Sequence, residues 1–345
     1  MLVATSLKRL IILVLGLCWI TSGLVCRAEP IGEKVLFEFY SSAEQEVTFA
    51  YLNNLKDPWQ FIKMEKDGNR FFVYHPVGKE IWYEFVVSPN VWFRRDPFNQ
   101  SVDSDHPYLK RGSTPLTTHR NLKVTYVPSP HFDYFTTGDG SQIKRLESVY
   151  TQLATQILTV IEPKLTPIHG KKIRYYGGMF DGCYATAGNA EIIDRADSAN
   201  SHEIIHVLMH AYPHYGPLAE GIAQCFQQSG NQRSLTEANC SLAAKEKIKH
   251  QNLWNVLSDF GNHPDYHMAG SFIYHQLYVA SGTRAPFVAF LKEFKPGQAI
   301  TQQVLLDHYR KHTGRDLKVV VREWERWVAR VTESSPIYVN WNEKN

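Results

Sequence analysis

Two spacings of apolar residues divide the chain. Before about residue 118, apolar and polar positions alternate in short runs. Examples are Val35-Leu36-Phe37-Glu38-Phe39-Tyr40, Val47-Thr48-Phe49-Ala50-Tyr51-Leu52 and Ile81-Trp82-Tyr83-Glu84-Phe85-Val86-Val87. Such runs, rich in β-branched and aromatic residues, predict strands. Asp67-Gly68 predicts a hairpin between Ile62-Lys63-Met64 and Arg70-Phe71-Phe72-Val73, and Pro89-Asn90 turns the chain into Val91-Trp92-Phe93. Many short strands with frequent turns point to a β-sandwich over residues 30–118.

From about residue 119 a helical spacing takes over. Leu146, Val149, Tyr150, Leu153, Ile157 and Val160 predict a helix from Ser141 to Ile161, closed by Pro163 and Pro167. Further helices are expected over Glu237 to Trp254, from Tyr266 onward, and over Pro286 to Phe294, Gln303 to His312 and Leu317 to Val331. Ile173 to Tyr176 and Ala190 to Asp194 read as strands. Leu122 to Val127 either opens this part or closes the sandwich, across a linker near Gly112-Ser113-Thr114-Pro115. The whole reads as a multidomain α+β chain, with a mostly helical second domain over residues 119–345.

The N-terminus bears on the compartment. Lys8 and Arg9 precede an uncharged apolar run from Leu10 to Val25, and Cys26-Arg27-Ala28 offers a cleavage site. Residues 1–28 therefore read as a signal peptide, which implies a secreted or periplasmic protein with no stable transmembrane span after its removal. A retained membrane anchor is the alternative. Cys183, Cys225 and Cys240 then remain, either with a Cys225–Cys240 disulfide or as three thiols. A formal net charge of +3, from 37 basic and 34 acidic residues with no long basic run, leaves no footprint for nucleic acid.

The candidate chemistry sits in His202-Glu203-Ile204-Ile205-His206, followed by Pro217-Leu218-Ala219-Glu220-Gly221. On a helix, positions i and i+4 share a face, so His202 and His206 can aim two imidazoles at one ion, with Glu203 beside them to handle a proton. A catalytic zinc takes three protein ligands and keeps a fourth position open. A metzincin would continue with Gly at 209 and His at 212, where this chain has Met209 and Tyr212. His210 lies one turn further along the helix and is carried away from such an ion. Glu220 is the better third ligand: Pro213 breaks the first helix, Pro217 suits the start of the next, and Glu220 falls in its first turn. Gly221 and Ala219 leave room for helices to approach. Ser198 or Asn200 can cap the helix that carries His202.

This arrangement, with the string Leu218-Ala219-Glu220-Gly221-Ile222-Ala223, resembles the gluzincins, and among them the peptidase MA-like proteins. The resemblance implies a zincin-type metallopeptidase domain with one Zn²⁺ per chain, held by His202, His206 and Glu220, and Glu203 as general base. Tyr266-His267-Met268-Ala269-Gly270-Ser271-Phe272 is similar to a segment that packs beside the metal in that family. Tyr266, or next to it His267, is therefore the expected donor to the oxyanion. The family also implies a peptide or protein substrate that pairs with an edge strand, sought here at Ala187 to Ile193. His210, His214, His263 and His275 are read as structural or surface residues.

The first domain resembles the immunoglobulin-like early-set sandwiches of glycogen-binding modules. The match runs from Phe49 to Asn54 through Pro58-Trp59, Met64 and Asp67-Gly68, and resumes at Tyr83 to Val87, Trp92 and Asp96-Pro97-Phe98-Asn99. That resemblance implies glycan as a further partner, through Trp59 and Trp92. Glu84 stands where the sugar-binding members carry a lysine. The rival to an enzyme is accordingly a glycan- or cell-wall-binding protein with a non-catalytic zinc domain.

Overall fold

The computed structural model describes residues 34–54, 56–77, 80–87, 91–93, 108–110, 124–161, 172–180, 182–186, 190–209, 216–227, 240–258, 265–294 and 300–332. The expected signal peptide, the linker, and His210, His214 and His263 lie outside them.

The first region contains β1 (Lys34–Tyr40), β2 (Val47–Leu52), β3 (Gln60–Lys63), β4 (Glu65–Asp67), β5 (Arg70–Pro76), β6 (Glu80–Val87), β7 (Val91–Phe93) and β8 (Tyr108–Lys110). They form two antiparallel sheets, one ordered β1-β5-β4, the other β3-β2-β6 with β7 and β8 both on β6. Alternation decides which faces meet. Val35, Phe37 and Phe39 of β1 are buried with Val47, Phe49 and Tyr51 of β2 and Ile81, Tyr83, Phe85 and Val87 of β6. Phe37 packs 4.6 Å from Phe49 and 4.7 Å from Tyr83, and Phe39 lies 5.2 Å from Phe85, between ring centroids.

The expected hairpin is corrected in its first strand. Ile62 and Lys63 pair with Phe49 and Thr48 in the other sheet, and the partner of β5 across the Asp67-Gly68 turn is β4. The chain changes sheet at buried Met64, whose N–H bonds the Val47 carbonyl at 3.0 Å.

The second region builds a five-stranded sheet from β9 (Thr125–Pro128), β10 (Phe132–Thr136), β11 (Ile173–Gly177), β12 (Cys183–Thr186) and β13 (Glu191–Asp194). The order is β12-β13-β11-β10-β9, with β10, β11 and β13 parallel and the two edges antiparallel. β9 thus opens this sheet rather than closing the first region. Every residue of β10, β11 and β13 is buried, as expected for parallel strands covered on both faces.

One face of this sheet packs against α1 (Ile143–Ile161), where Leu146, Leu153 and Ile157 join Phe132, Tyr134, Tyr175 and Ile192 in one core. The opposite face carries Asp133, Phe135, Arg174, Tyr176 and Ile193 and meets the first region. Arg174 is 3% exposed, and its guanidinium lies 3.9 Å from the Phe39 ring, 5.1 Å from Phe93 and 4.8 Å from Phe135. It donates to the Tyr40 carbonyl at 2.6 Å and to the Tyr176 hydroxyl at 3.0 Å. Asp133 accepts from the Ser41 hydroxyl, the Ser42 hydroxyl and the Ser42 N–H at 3.0, 2.9 and 3.2 Å. Hydrogen bonds to buried charges thus tie the two regions, where an unpaired charge would be costly.

The remaining elements are α2 (Ser201–Leu208), α3 (Gly216–Phe226), α4 (Cys240–Lys247), α5 (Leu253–Ser258), α6 (Tyr266–Tyr274, continued by a wide turn over His275–Val279), α7 (Arg284–Glu293), α8 (Gln302–Thr313) and α9 (Leu317–Val328). The single helix expected from Glu237 to Trp254 is interrupted, because the Asn252 side chain accepts from the Trp254 N–H at 2.7 Å and starts α5 afresh. α3 crosses α6 at close range. A side chain at Gly221 would come within 3.0 Å of the Ala269 backbone, so glycine permits the approach. Ala269 belongs to α6, so the room at Gly221 serves α6. Cys183, Cys225 and Cys240 are free thiols, so the Cys225–Cys240 disulfide is not formed. Among the described residues no helix is long and apolar enough to cross a membrane.

Candidate metal centre

The loop from Asp194 to Asn200 aims α2. Asp194, at the end of β13, is fully buried, and its carboxylate accepts from the Tyr175 hydroxyl at 2.5 Å and from the Ser198 N–H at 2.6 Å. The Ser198 hydroxyl and the Ala196 N–H add bonds of 3.1 Å each. Asp197 and Ala199 adopt left-handed backbone, with φ of 50° and 56°, a conformation that costs energy in non-glycine residues. Asp197 is held there by the Tyr134 and Thr136 hydroxyls, each at 2.7 Å. Its carboxylate lies where a Cβ on Gly177 would stand, so position 177 must be glycine.

Asn200 closes the loop and begins α2. Its side-chain oxygen accepts from the His202 and Glu203 N–H groups at 3.0 and 3.5 Å, and its own N–H donates to the Tyr175 hydroxyl at 2.9 Å. Of the two expected caps, then, Asn200 serves and Ser198 bonds Asp194. Ile204, Ile205, Val207 and Leu208 bury the core side of α2, which turns His202 and His206 the other way, toward α3.

Glu220, in the second turn of α3, meets them. Its Oε2 lies 2.9 Å from His202 Nε2 and 3.2 Å from His206 Nε2, and the two imidazole nitrogens are 3.1 Å apart. His202, His206 and Glu220 form the one group of this kind among the described residues able to hold a metal ion. The fit is geometric and chemical. A tetrahedral zinc with bonds of roughly 2.0–2.2 Å sets its ligand atoms about 3.3 Å apart, close to these separations. Two imidazole nitrogens and a carboxylate oxygen are a zinc donor set, and one that leaves a position open.

Burial pushes the Glu220 carboxyl up, but hydrogen bonds from His202 and His206 outweigh it and hold the group down at about 2. Burial likewise lowers His206, and the Glu220 hydrogen bond and charge raise it above the usual imidazole range.

Glu203 is buried beside this group, 7% exposed. Burial raises its carboxyl, against the lowering effect of the two imidazoles. Its carboxylate accepts from the Ala185 backbone N–H, on β12. The edge of the sheet next to α2 is therefore β12. Glu191 to Ile193, sought as the edge, lie on β13 inside the sheet, and residues 187–189 lie outside the described ones.

Tyr266 opens α6 with its ring 5.9 Å from that of His202, and it is 38% exposed. Burial raises its hydroxyl, and the charges of Glu220 and Glu203 raise it further. His267 is half-buried and a helical step of about 100° from Tyr266, and it is the Tyr266 ring that lies, tilted, against His202. His275 is buried against Trp327, 5.0 Å between rings, and burial lowers it to about 4, as for a structural histidine.

Gln227 was not expected here. It follows α3, is 5% exposed, and sets its side-chain oxygen 3.3 Å from His202 Nδ1. A polar residue two turns after Glu220, directly after the apolar pair Cys225-Phe226, was the available signal.

Set against known proteins, the chain matches no family model and no curated protein.

Proposed function

We propose that this chain is a zinc-dependent metallopeptidase, secreted or periplasmic, of the gluzincin type. The observation that carries the reading is the convergence of His202 Nε2, His206 Nε2 and Glu220 Oε2 within 3.2 Å of one another, beside a buried Glu203. When bound, zinc supplies a Lewis acid that polarises the scissile carbonyl and acidifies a water. Glu203 takes a proton from the attacking water as it adds to the carbonyl carbon, then delivers it to the nitrogen as the C–N bond breaks. Burial favours the protonated form of Glu203, and the Ala185 N–H orients its carboxylate. In this reading Tyr266 gives the oxyanion a hydrogen bond from its hydroxyl, supported by its ring lying 5.9 Å from that of His202, with His267 the lesser choice. β12, as an antiparallel edge strand beside α2, offers a rail for extended substrate backbone.

A second reading rests on the first region. Trp59 and Phe61 are exposed, and both lie against Trp92, at 5.5 and 6.1 Å between ring centroids. This aromatic surface on the outside of the β3-β2-β6 sheet supports glycan binding by an early-set sandwich, whether or not the second region is catalytic.

Glu203→Gln tests the enzyme. Zinc content is expected to stay at one per chain, while peptide-library hydrolysis falls by roughly 10²–10⁴-fold. Wild-type turnover by that variant overturns Glu203 as the base. Loss of hydrolysis in wild-type protein treated with chelator, restored by zinc, is expected alongside it. Retention on insoluble polysaccharide with no hydrolysis of any peptide favours the second reading.

A further inference from the structure

We propose that Gln227 is a positioning residue for the metal centre: it holds the His202 ring so that Nε2 is the ligand atom. This rests on the zinc-site reading above. His202 is engaged at both nitrogens, Nε2 against Glu220 Oε2 at 2.9 Å and Nδ1 against Gln227 Oε1 at 3.3 Å. Both partners come from one helix. Glu220 and Gln227 are seven residues apart, close to two full turns, so they project from one face of α3. Gln227 directly follows the last residue of α3, yet its N–H still bonds the Ala223 carbonyl at 2.9 Å, which fixes its backbone in helical register. At 5% exposure its amide is largely shielded from competing water.

The consequence follows from imidazole chemistry. A neutral ring carries one proton, so a ring that donates from Nδ1 presents its lone pair at Nε2. An acceptor at Nδ1 therefore fixes the tautomer and the ring rotation together. A carboxylate in this place would do the same and add a second negative charge to that of Glu220. The amide orients His202 without that charge. Gln224 is one turn after Glu220 and also buried, but its Cγ lies 2.8 Å from where a Cβ on Gly270 would stand. It is packed against α6, which leaves the role to Gln227.

The test compares Gln227→Met, close in size without an acceptor, with Gln227→Glu, which restores one. Zinc affinity is read by competition with a chromophoric chelator, and imidazole tautomers from long-range ¹H–¹⁵N spectra of zinc-loaded protein. The expected result is His202 protonated at Nδ1 in the wild type, zinc affinity about 10–100-fold weaker in Gln227→Met, and affinity at or above wild type in Gln227→Glu. Unchanged affinity in Gln227→Met, or the same weakening in Gln227→Glu, overturns the role and leaves the three ligands standing. The wild-type spectrum decides without a variant, since a His202 bound through Nδ1 also overturns it. Wild-type protein that takes up no zinc overturns the metal site itself, and this role with it.

Discussion

The two regions bury their polar groups in opposite ways. In the first, the described core is a stack of Phe, Tyr and Val from facing sheets, with Ser41 and His75 as its buried polar residues. In the second, Asp133, Arg174, Glu191, Asp194, Glu203, Gln224 and Gln227 are all buried. Burying such groups costs several kcal/mol each unless they are hydrogen-bonded, so they accumulate where each has a task. Asp194 shapes the loop before α2, Glu203 stands beside the candidate ligands, and Arg174 and Asp133 bind the first region to the sheet. The first region is thus held by apolar area and alternation. The second adds a polar frame that aims particular atoms.

The largest expected effect breaks the first region alone. Phe37 is fully buried between Phe49 and Tyr83. Phe37→Ala removes a ring from a packed core and is expected to cost about 3–5 kcal/mol, read as a shifted denaturation midpoint. Zinc content should remain one per chain, because no ligand touches that core. Loss of zinc together with stability would show that the two regions do not answer separately.

A smaller effect is expected from the polar frame. Asp194→Asn keeps the shape but replaces one carboxylate oxygen with an amide nitrogen, which then faces either the Ala196 N–H at Oδ1 or the Tyr175 and Ser198 donors at Oδ2. The cost should be about 1–3 kcal/mol, with faster amide exchange at His202 and Glu203, whose N–H groups depend on the Asn200 cap that this loop presents. A variant that loses stability with unchanged exchange in α2 would separate the frame from the aiming of the histidines.

These assignments differ in how far the sequence foretold them. The His202, His206 and Glu220 grouping was legible because helical spacing alone sets two of its members and a helix restart sets the third. β1, β2, β5 and β6 of the first region were legible because one face of each is apolar. β10 and β12 were not, since Phe132-Asp133-Tyr134-Phe135 carries a charge mid-strand and Cys183 to Thr186 is a short run after Gly182. Ile173 to Tyr176 was legible as a strand, but nothing in its sequence marks the face carrying Arg174 as the one covered by the first region. The partner of Asp67-Gly68 was misjudged by one segment because a chain that crosses between sheets leaves no mark in alternation. Gln227 was missed because one of three nearby glutamines, Gln224, Gln227 and Gln228, carries no motif.

The smallest expected effect, and the one with the most specific sign, is the pH dependence of the polar group at the ligands. In the metal-free protein Glu220 is held at about 2, below its ordinary 4.5, so its contribution is present above pH 4.5 and fades as pH falls toward 2. His206 is raised above its ordinary 6.5, so its contribution is full below that value and fades as pH rises through the folded one. Both shifts describe one pairing, so metal-free protein should be most stable between about pH 4.5 and 6.5 as far as this site is concerned. Zinc needs the same imidazoles without their protons, so its added stabilisation should grow with pH across the range where the metal-free pairing is lost. Thermal midpoints with chelator and with zinc should therefore diverge from pH 6 to 8, and the divergence should vanish in Glu220→Gln if the carboxylate is a ligand. Parallel curves in the wild type would mean that these three side chains pair with one another and take no cation, which would leave the second region with a polar frame and nothing for it to aim.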